Sequence, residues 1–266
     1  MTGTEWKASQ YRAAATLSAA LTACLLSTVA HAAPEEVQVY MDEINPARTP
    51  GLDLHLNDVI TGRAGADYPG GETALHDFRI TPEFSLGLGN GFEAGLYLPL
   101  ATLSEGVLRA QGAKARIKWI APHAPDSPFY WGANFEIGRV AYRLDQNPWN
   151  AEIKGIAGWR RGKWNVALNG NFDFVVSGPV PSPATFELAS KINYLVAPDV
   201  AFGVESYNGL GDLKYPALVQ RNEQSSYLTI DTRIGKWDIN AGIGRGYGAN
   251  PDRLIVKFVL GVPLPR

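Results

Sequence analysis

Residues 78–100 alternate between apolar and polar side chains, with a break at Gly89-Asn90-Gly91. Successive side chains of a β-strand point to opposite faces, so this period of two predicts strands, and the short glycine-containing break predicts a tight turn. The segment is therefore a β-hairpin with one apolar face and one polar, charged face. In a soluble sandwich the apolar face packs in a core, whereas in an outer-membrane barrel it contacts lipid. The hairpin alone leaves both architectures open.

Residues 1–32 have the features of a cleaved signal peptide. Lys7 and Arg12 precede an apolar stretch at 13–29, and Ala30-His31-Ala32 forms an A-x-A cleavage site. An alternative takes Cys24 as the lipid acceptor of a lipoprotein signal, but the apolar run continues directly after it, which favours cleavage after Ala32. Because Cys24 is the only cysteine, a cleaved chain can form neither a disulfide nor a cysteine metal site.

The composition narrows the class of protein further. The 28 glycines and 11% aromatic residues are typical of an exported, all-strand chain. The formal net charge of -2 gives no reason to expect a nucleic acid as a partner. After the signal peptide no stretch approaches the roughly 18 continuous apolar residues of a transmembrane helix, which excludes a helical membrane protein.

The connections between the predicted strands favour the barrel over the sandwich. Tight turns at Asn90, Gly162, Pro198 and Gly235 tend to alternate with longer loops, among them 62–73 and 211–224. Tight turns on one rim and longer loops on the other are typical of bacterial outer-membrane barrels. We therefore predict an all-β protein in which residues 51–266 form a single antiparallel transmembrane β-barrel of about 12 strands. An even strand number places both ends of the barrel on the periplasmic, tight-turn rim.

Residues 33–50 precede the barrel. Val37, Val39 and Met41 alternate with polar residues before a proline-bearing linker. We predict a periplasmic lead-in with one short strand, and the sequence leaves open whether it enters the lumen.

The tryptophans support the barrel. Five of them fall on the apolar face within a few residues of the tight-turn rim, where an interfacial aromatic girdle belongs. They are Trp119, Trp131, Trp159, Trp164 and Trp237.

The polar faces of the strands carry equal numbers of acidic and basic side chains, ten of each. One interpretation is a self-neutralising ionic network that fills a narrow barrel, and the other is a small polar pore whose charges select the solute. The candidate residues for a solute path are Arg79, Glu83, Glu93, Lys114, Arg116, Lys118, Glu187, Lys191, Asp231 and Arg233.

The run Lys114, Arg116 and Lys118 is the one strongly biased part of this set. We expect Glu93 to lie near Lys114. The preceding strand offers no equally clear acidic partner for Arg116 and Lys118. An unneutralised basic strip would favour anionic solutes, whereas pairing with more distant strands or with a plug would make the strip structural.

The sequence predicts no enzyme, no cofactor and no metal site. The remaining histidines show no pair with metal-ligand spacing, and glycines at every second position of 242–248 fit one strand face rather than a phosphate-binding loop. The one enzymatic alternative is an outer-leaflet lipid hydrolase that uses His76, with Ser104 as the nearby nucleophile.

Two segments carry a family resemblance. Ile80-Thr81-Pro82-Glu83-Phe84 followed by Phe92-Glu93-Ala94-Gly95-Leu96-Tyr97-Leu98-Pro99 resembles a hairpin of the transporters grouped with the phenol-degradation MetA-pathway family. The resemblance implies an outer-membrane barrel and passage of small, aromatic or apolar molecules, and it supplies no functional residues. Such barrels usually end in an aromatic residue recognised during assembly. This sequence ends in Pro265-Arg266, so Phe258 or Leu264 would have to serve the barrel-assembly machinery.

We therefore expect a protein of the bacterial outer membrane that acts as a passive channel or transporter for small molecules of unidentified class. The alternatives are a closed barrel with a structural or surface-interaction role and the lipid hydrolase. The expected partners are outer-membrane lipids, the barrel-assembly machinery and the solute.

Overall fold

A computed structural model describes residues 36–102, 107–213 and 221–264. The predicted signal peptide, Ser104 and residues 214–220 of the predicted surface loop lie outside this part of the chain. The strands are β1 Pro50–Thr61, β2 Phe78–Gly89, β3 Phe92–Tyr97, β4 Leu100–Thr102, β5 Leu108–Ala110, β6 Gly112–Ile120, β7 Phe129–Val140, β8 Trp149–Arg161, β9 Trp164–Ser177, β10 Thr185–Ala197, β11 Val200–Asp212, β12 Glu223–Ile234, β13 Trp237–Gly248 and β14 Leu254–Gly261.

The strands close into one antiparallel barrel. Neighbours in the sequence pair with each other, and β1 pairs with both β2 and β14, so the sheet has no free edge at that seam. β3 and β4 lie end to end as one wall strand, and β5 and β6 form the next. The wall therefore has twelve strands, as predicted.

The two interrupted strands break at facing positions. Pro99, which has no N–H to donate, separates β3 from β4, and Gln111 separates β5 from β6 with its backbone N–H 2.8 Å from the Pro99 oxygen. The partners shift by one residue across this break. Lys118 is the residue opposite Glu93, four residues from the Lys114 that we expected there, so that expectation was wrong.

The two rims differ as predicted. The turn rim carries the tight connections, for example Gly89-Asn90-Gly91, whose three residues all have positive φ. The loop rim carries the longer connections, including residues 62–77 and 213–222. Both barrel ends lie at the turn rim, since Pro50 pairs with Leu86 near that turn and Gly261 pairs with Asp53.

The side chains are distributed inside out relative to a soluble protein. Large apolar side chains face outward, with exposures of 46% for Phe84, 52% for Leu88 and 60% for Trp131. Charged side chains such as Glu83 and Lys257 face inward and are buried. An apolar exterior around a charged interior is the pattern of an outer-membrane barrel. No helix in the described part of the chain is long and apolar enough to cross a membrane.

Residues 36–49, which we call the lead-in segment, lie inside the barrel. We predicted one short strand here, and the described residues of the segment form none. The sequence left open whether the lead-in enters the lumen, and in the structure it does. The alternation of Val37 and Val39 reflects burial against different parts of the wall, while the backbone around them bonds to wall side chains instead of a neighbouring strand. Asn169, for example, accepts from the Tyr40 N–H and donates to the Tyr40 carbonyl.

The loop that follows β1 also reaches inward. Leu75 makes a parallel bridge with Val59, and both pack in an apolar cluster near the loop rim. Asp77 ends this loop, and burial raises the pKa of its carboxyl, while its ion pair with Arg79 acts in the opposite direction. The loop-rim end of the lumen is therefore occupied as well.

Candidate functional site: the occupied lumen

The lead-in segment seats its apolar side chains in three places along the lumen. Val37 packs with Val59, Tyr227 and Ile255 near the loop rim. Val39 packs against Ala167 and Ala189 at mid-height. Tyr40 packs with three residues of β6, β7 and β8 toward the turn rim, which are Ile120, Tyr130 and Ile156. The segment thus lies in the lumen along most of the barrel's length.

Tyr40 contacts the wall through its backbone, its ring and its hydroxyl. Its ring lies 4.0 Å from the Lys154 ammonium and 5.1 Å from that of Lys118, measured to the ring centroid. Its hydroxyl pairs with the Tyr97 hydroxyl and lies 3.2 Å from a Glu136 carboxylate oxygen. The aromatic face meets cations and the hydroxyl meets acceptors, which is the arrangement that stabilises a buried tyrosine.

Wall cations hold other parts of the segment. Lys118 donates to the Glu43 carbonyl, and Lys257 donates to the Val37 carbonyl at 3.0 Å. Arg160 binds the Asp42 carboxylate at 2.6 Å at the turn rim. These contacts run between side chains of the wall and the segment, so they can break without disrupting the strand pairing of the barrel.

A second set of ion pairs stays within the wall. Arg116 donates to both Glu83 and Glu93, at 2.7 Å for the latter, and His55 Nε2 lies 3.1 Å from the other Glu83 oxygen. Gly95, opposite Arg116, leaves the space that the guanidinium crosses, because a Cβ there would lie 2.7 Å from the Arg116 Cγ. This cluster joins β1, β2, β3 and β6.

The opposite side of the lumen has a matching cluster. Glu205 of β11 pairs with Lys257 of β14 and, at 3.1 Å, with Lys191 of β10. Lys191 also binds Asp231 of β12 at 2.9 Å. The alternative of a self-neutralising ionic network therefore describes much of this interior. Each of these charges therefore keeps a partner of opposite sign in the wall when the lead-in segment is absent, although Lys257 also donates to the Val37 carbonyl of that segment.

The structure places five of the ten predicted solute-path residues in these two clusters, namely Glu83, Glu93, Arg116, Lys191 and Asp231. The buried lumen residues Arg79, Glu83, Glu93, Arg116, Lys118 and Lys191 face inward as expected. Lys114, Glu187 and Asp231 are half-buried, and Arg233 is exposed at the turn rim, where it pairs with Asp238 at 2.6 Å. The basic strip is largely paired: Arg116 binds acids of the wall, and Lys118 binds the lead-in segment.

Sequence reasoning missed the residues that hold the segment. Tyr40 and Asn169 were not singled out, and Lys154, Lys257 and Glu205 were grouped only with the general lumen charges. The alternation of the strands gave their inward direction, but nothing in the sequence tied positions 129 residues apart, as in Tyr40 and Asn169.

The five tryptophans face outward near the turn rim. Trp119 and Trp131 pack edge to face with ring centroids 5.0 Å apart, and Trp164 packs similarly on Tyr194. Their service as an interfacial girdle remains a prediction.

One group of described residues brings three candidate ligands for a metal ion together. Glu36, His55 and Glu83 each offer an atom within 4.8 Å of the others. The hydrogen bond between His55 and Glu83 accounts for their closeness without a metal. His76, the base of the alternative lipid hydrolase, is exposed in the loop with φ 58°. Its backbone N–H donates to the Val59 carbonyl at 3.0 Å, and its imidazole has no described hydrogen-bond partner.

No family model matches the sequence. No curated protein matches it either. Several solved structures do match. An outer membrane channel from Pseudomonas putida F1 matches with a TM-score of 0.55 and 15% identity over 85% of this chain and 100% of that one. The KdgM porin matches with a TM-score of 0.54 and 13% identity over 81% of this chain and 99% of that one. The NanC porin matches with a TM-score of 0.50 and 12% identity over 81% of this chain and 100% of that one. One KdgM structure is a complex with disordered oligogalacturonate.

At these identities the likeness shows the fold. The chain is a twelve-stranded outer-membrane β-barrel, similar in fold to known porins and channels, and it belongs to the bacterial outer membrane. In this chain the lead-in segment occupies the lumen of the barrel.

Proposed function

We propose that the chain is a passive outer-membrane channel for small molecules, closed when the lead-in segment occupies the lumen. The observation that carries the proposal is the way the segment is held. The described hydrogen bonds of residues 36–45 go to side chains of the wall. The wall itself is held by its own strand pairing and ion pairs. The segment can therefore leave the path while the barrel stays intact. The fold likeness to porins and channels supports the same function.

The charges that face the segment favour anionic solutes. Departure of the segment removes the partner of Arg160 and the acceptor of Lys118, and it uncovers Lys154 beside the site of the Tyr40 ring. An aromatic anion fits this site best, because Tyr40 shows that an aromatic ring can lie among these cations. The resemblance to the MetA-pathway transporters supports aromatic solutes independently.

Single-channel recording in planar bilayers tests the proposal. Chains lacking residues 1–32 are refolded, and heat-modifiable migration on a gel confirms the barrel. The recordings compare wild type with Tyr40→Ala, which loosens the segment, and then with Lys118→Glu in the Tyr40→Ala background. Arg161→Glu in the same background is the matched control, because Arg161 is exposed at the outer side of the turn rim.

We expect stepwise currents with a reversal potential that shows anion preference. Lys118→Glu should shift that potential toward cations, and Arg161→Glu should not. Heat-modifiable barrels that give no steps in any variant would contradict a channel and support the structural alternative. Currents without charge preference would refute the anionic solute class alone.

A further inference from the structure

The outward face of β11, β12 and β13 changes from apolar to polar partway along each strand. The apolar residues below the change are exposed, at 48% for Val204, 67% for Leu228 and 53% for Ile243. Two residues closer to the loop rim the outward residues are polar on all three strands. They are Ser206, Ser226 and Arg245, which lie side by side in register, with Asn208 and Tyr247 just beyond.

These five residues form what we call the outer polar patch. Ser226 Oγ lies 3.1 Å from Ser206 Oγ and 3.2 Å from the Tyr247 hydroxyl, and the Asn208 amide donates to Ser206 Oγ at 3.0 Å. The side chain of Arg245 is exposed and has no hydrogen bond or ion pair to any described residue. The patch is thus a connected set of hydroxyl and amide groups beside one unpaired guanidinium.

The depth of the patch can be estimated from strand geometry. On β9 the outward apolar face runs from Trp164 at the turn rim to Val176, whereas on β13 it runs only from Trp237 to Ile243. At about 3.3 Å per residue and a tilt of about 40°, these stretches span roughly 30 Å and roughly 15 Å of depth. The hydrocarbon band of such barrels is about 25 Å tall. The patch therefore begins within the loop-rim half of that band.

A guanidinium facing hydrocarbon is costly unless it is paired. An isologous dimer across a two-fold axis would bring Arg245 toward its own copy, and the patch contains no carboxylate to neutralise the pair. A phosphate group on a sugar headgroup fits better, because guanidinium binds phosphate with two parallel hydrogen bonds and sugar hydroxyls pair with serine, asparagine and tyrosine. The loop rim is the outward-facing side of the membrane, so this lipid lies in the outer leaflet.

We propose that the outer polar patch binds the phosphorylated sugar headgroup of an outer-leaflet glycolipid, with Arg245 on the phosphate. This site is separate from the lumen and does not depend on whether the barrel conducts.

Native mass spectrometry of the folded chain in neutral detergent tests the site, with diphosphorylated lipid A as the probe. A fully dephosphorylated lipid A and inorganic phosphate are the comparison ligands. Arg245→Ala removes the guanidinium. Arg245→Lys keeps the positive charge but cannot donate two parallel hydrogen bonds to one phosphate. Arg139→Ala is the matched control, because Arg139 is also exposed, outward-facing and near the loop rim, on β7. Heat-modifiable migration verifies that each variant folds.

We expect Arg245→Ala to weaken binding of the diphosphorylated lipid by at least about tenfold, since one charge-assisted bidentate contact is lost. The affinity of Arg245→Lys for this lipid should lie between those of wild type and Arg245→Ala. Arg139→Ala should bind the lipid as wild type does. Equal binding by Arg245→Ala, equal loss in both alanine variants, or equal affinity for the dephosphorylated lipid would each overturn the proposal. A lipid-free dimer that Arg245→Ala dissociates would assign the patch to a second copy instead.

Discussion

Replacing Tyr40 with alanine should shift the channel toward its open state. The side chain is 3% exposed and packs among residues of β6, β7 and β8. Truncating a buried aromatic residue to alanine costs about 3–5 kcal/mol, and the loss here includes the cation–π contact with Lys154. Part of the ring's packing comes from Met41 and Ile44 of the same segment and moves with it, so the lower half of that range applies.

A destabilisation of the seated segment by about 3 to 4 kcal/mol raises the open-to-closed ratio by roughly 150- to 1,000-fold. Single-channel open probability measures this ratio directly. Tyr40→Phe keeps the ring and loses only the hydroxyl contacts with Tyr97 and Glu136, so its effect should be about tenfold. Tyr194→Ala, which removes an outward-facing tyrosine packed on Trp164, is the control.

The reasoning fails if Tyr40→Ala, in a barrel of normal heat-modifiable migration, opens no more often than wild type. It also fails if Tyr194→Ala has the same effect, because the change would then reflect general loosening of the barrel. An effect of Tyr40→Phe as large as that of Tyr40→Ala would assign the closure to the hydroxyl contacts and not to the ring.

Three further substitutions test the wall. Arg116→Met leaves two buried carboxylates without their cation and should lower the unfolding free energy, measured in urea, by about 3–5 kcal/mol, whereas Arg233→Met at an exposed pair should cost less than about 1 kcal/mol. Gly244→Val places side-chain atoms in the Tyr227 ring and should cost about 1–3 kcal/mol by the same assay. Gly155→Ala meets only the Gly170 oxygen, at 4.0 Å, and should be near neutral. If the girdle prediction holds, Trp131, as the only tryptophan left in a variant, should be quenched more strongly by lipids brominated near the headgroup than near the bilayer centre.

The sequence determined which face each side chain takes because strand alternation is a local property. Arg79, Glu83 and Lys191 face inward and Trp131 faces outward, as predicted. The rims also followed from local signals, since residues such as Asn90 and Gly235 adopt the positive φ that tight turns require. For that reason, the twelve-strand barrel could be predicted from a single sequence.

The register between strands and the position of the lead-in segment in the lumen could not be predicted in the same way. A period of two fixes the face of Glu93 but not the residue across from it, which is Lys118, four residues from the expected Lys114. The one-residue shift beside Pro99 accounts for only part of that difference. The position of the lead-in segment depends on contacts such as Tyr40 with Asn169, which no local pattern encodes. Its apolar alternation was real, but a strand predicted from alternation alone also needs a partner with free backbone groups.

The charge pattern separates a rigid part of the lumen from a movable one. Arg116 and Lys191 are each held by two wall carboxylates, so removing the lead-in segment leaves these pairs as they are. Lys118 and Arg160, in contrast, have their described polar contacts with the segment itself. Opening therefore exposes cations selectively while the paired charges keep the wall stiff. On this account anion preference is a property of the open state alone, and substituting Lys118 should change selectivity far more than substituting Lys191 at equal loss of charge.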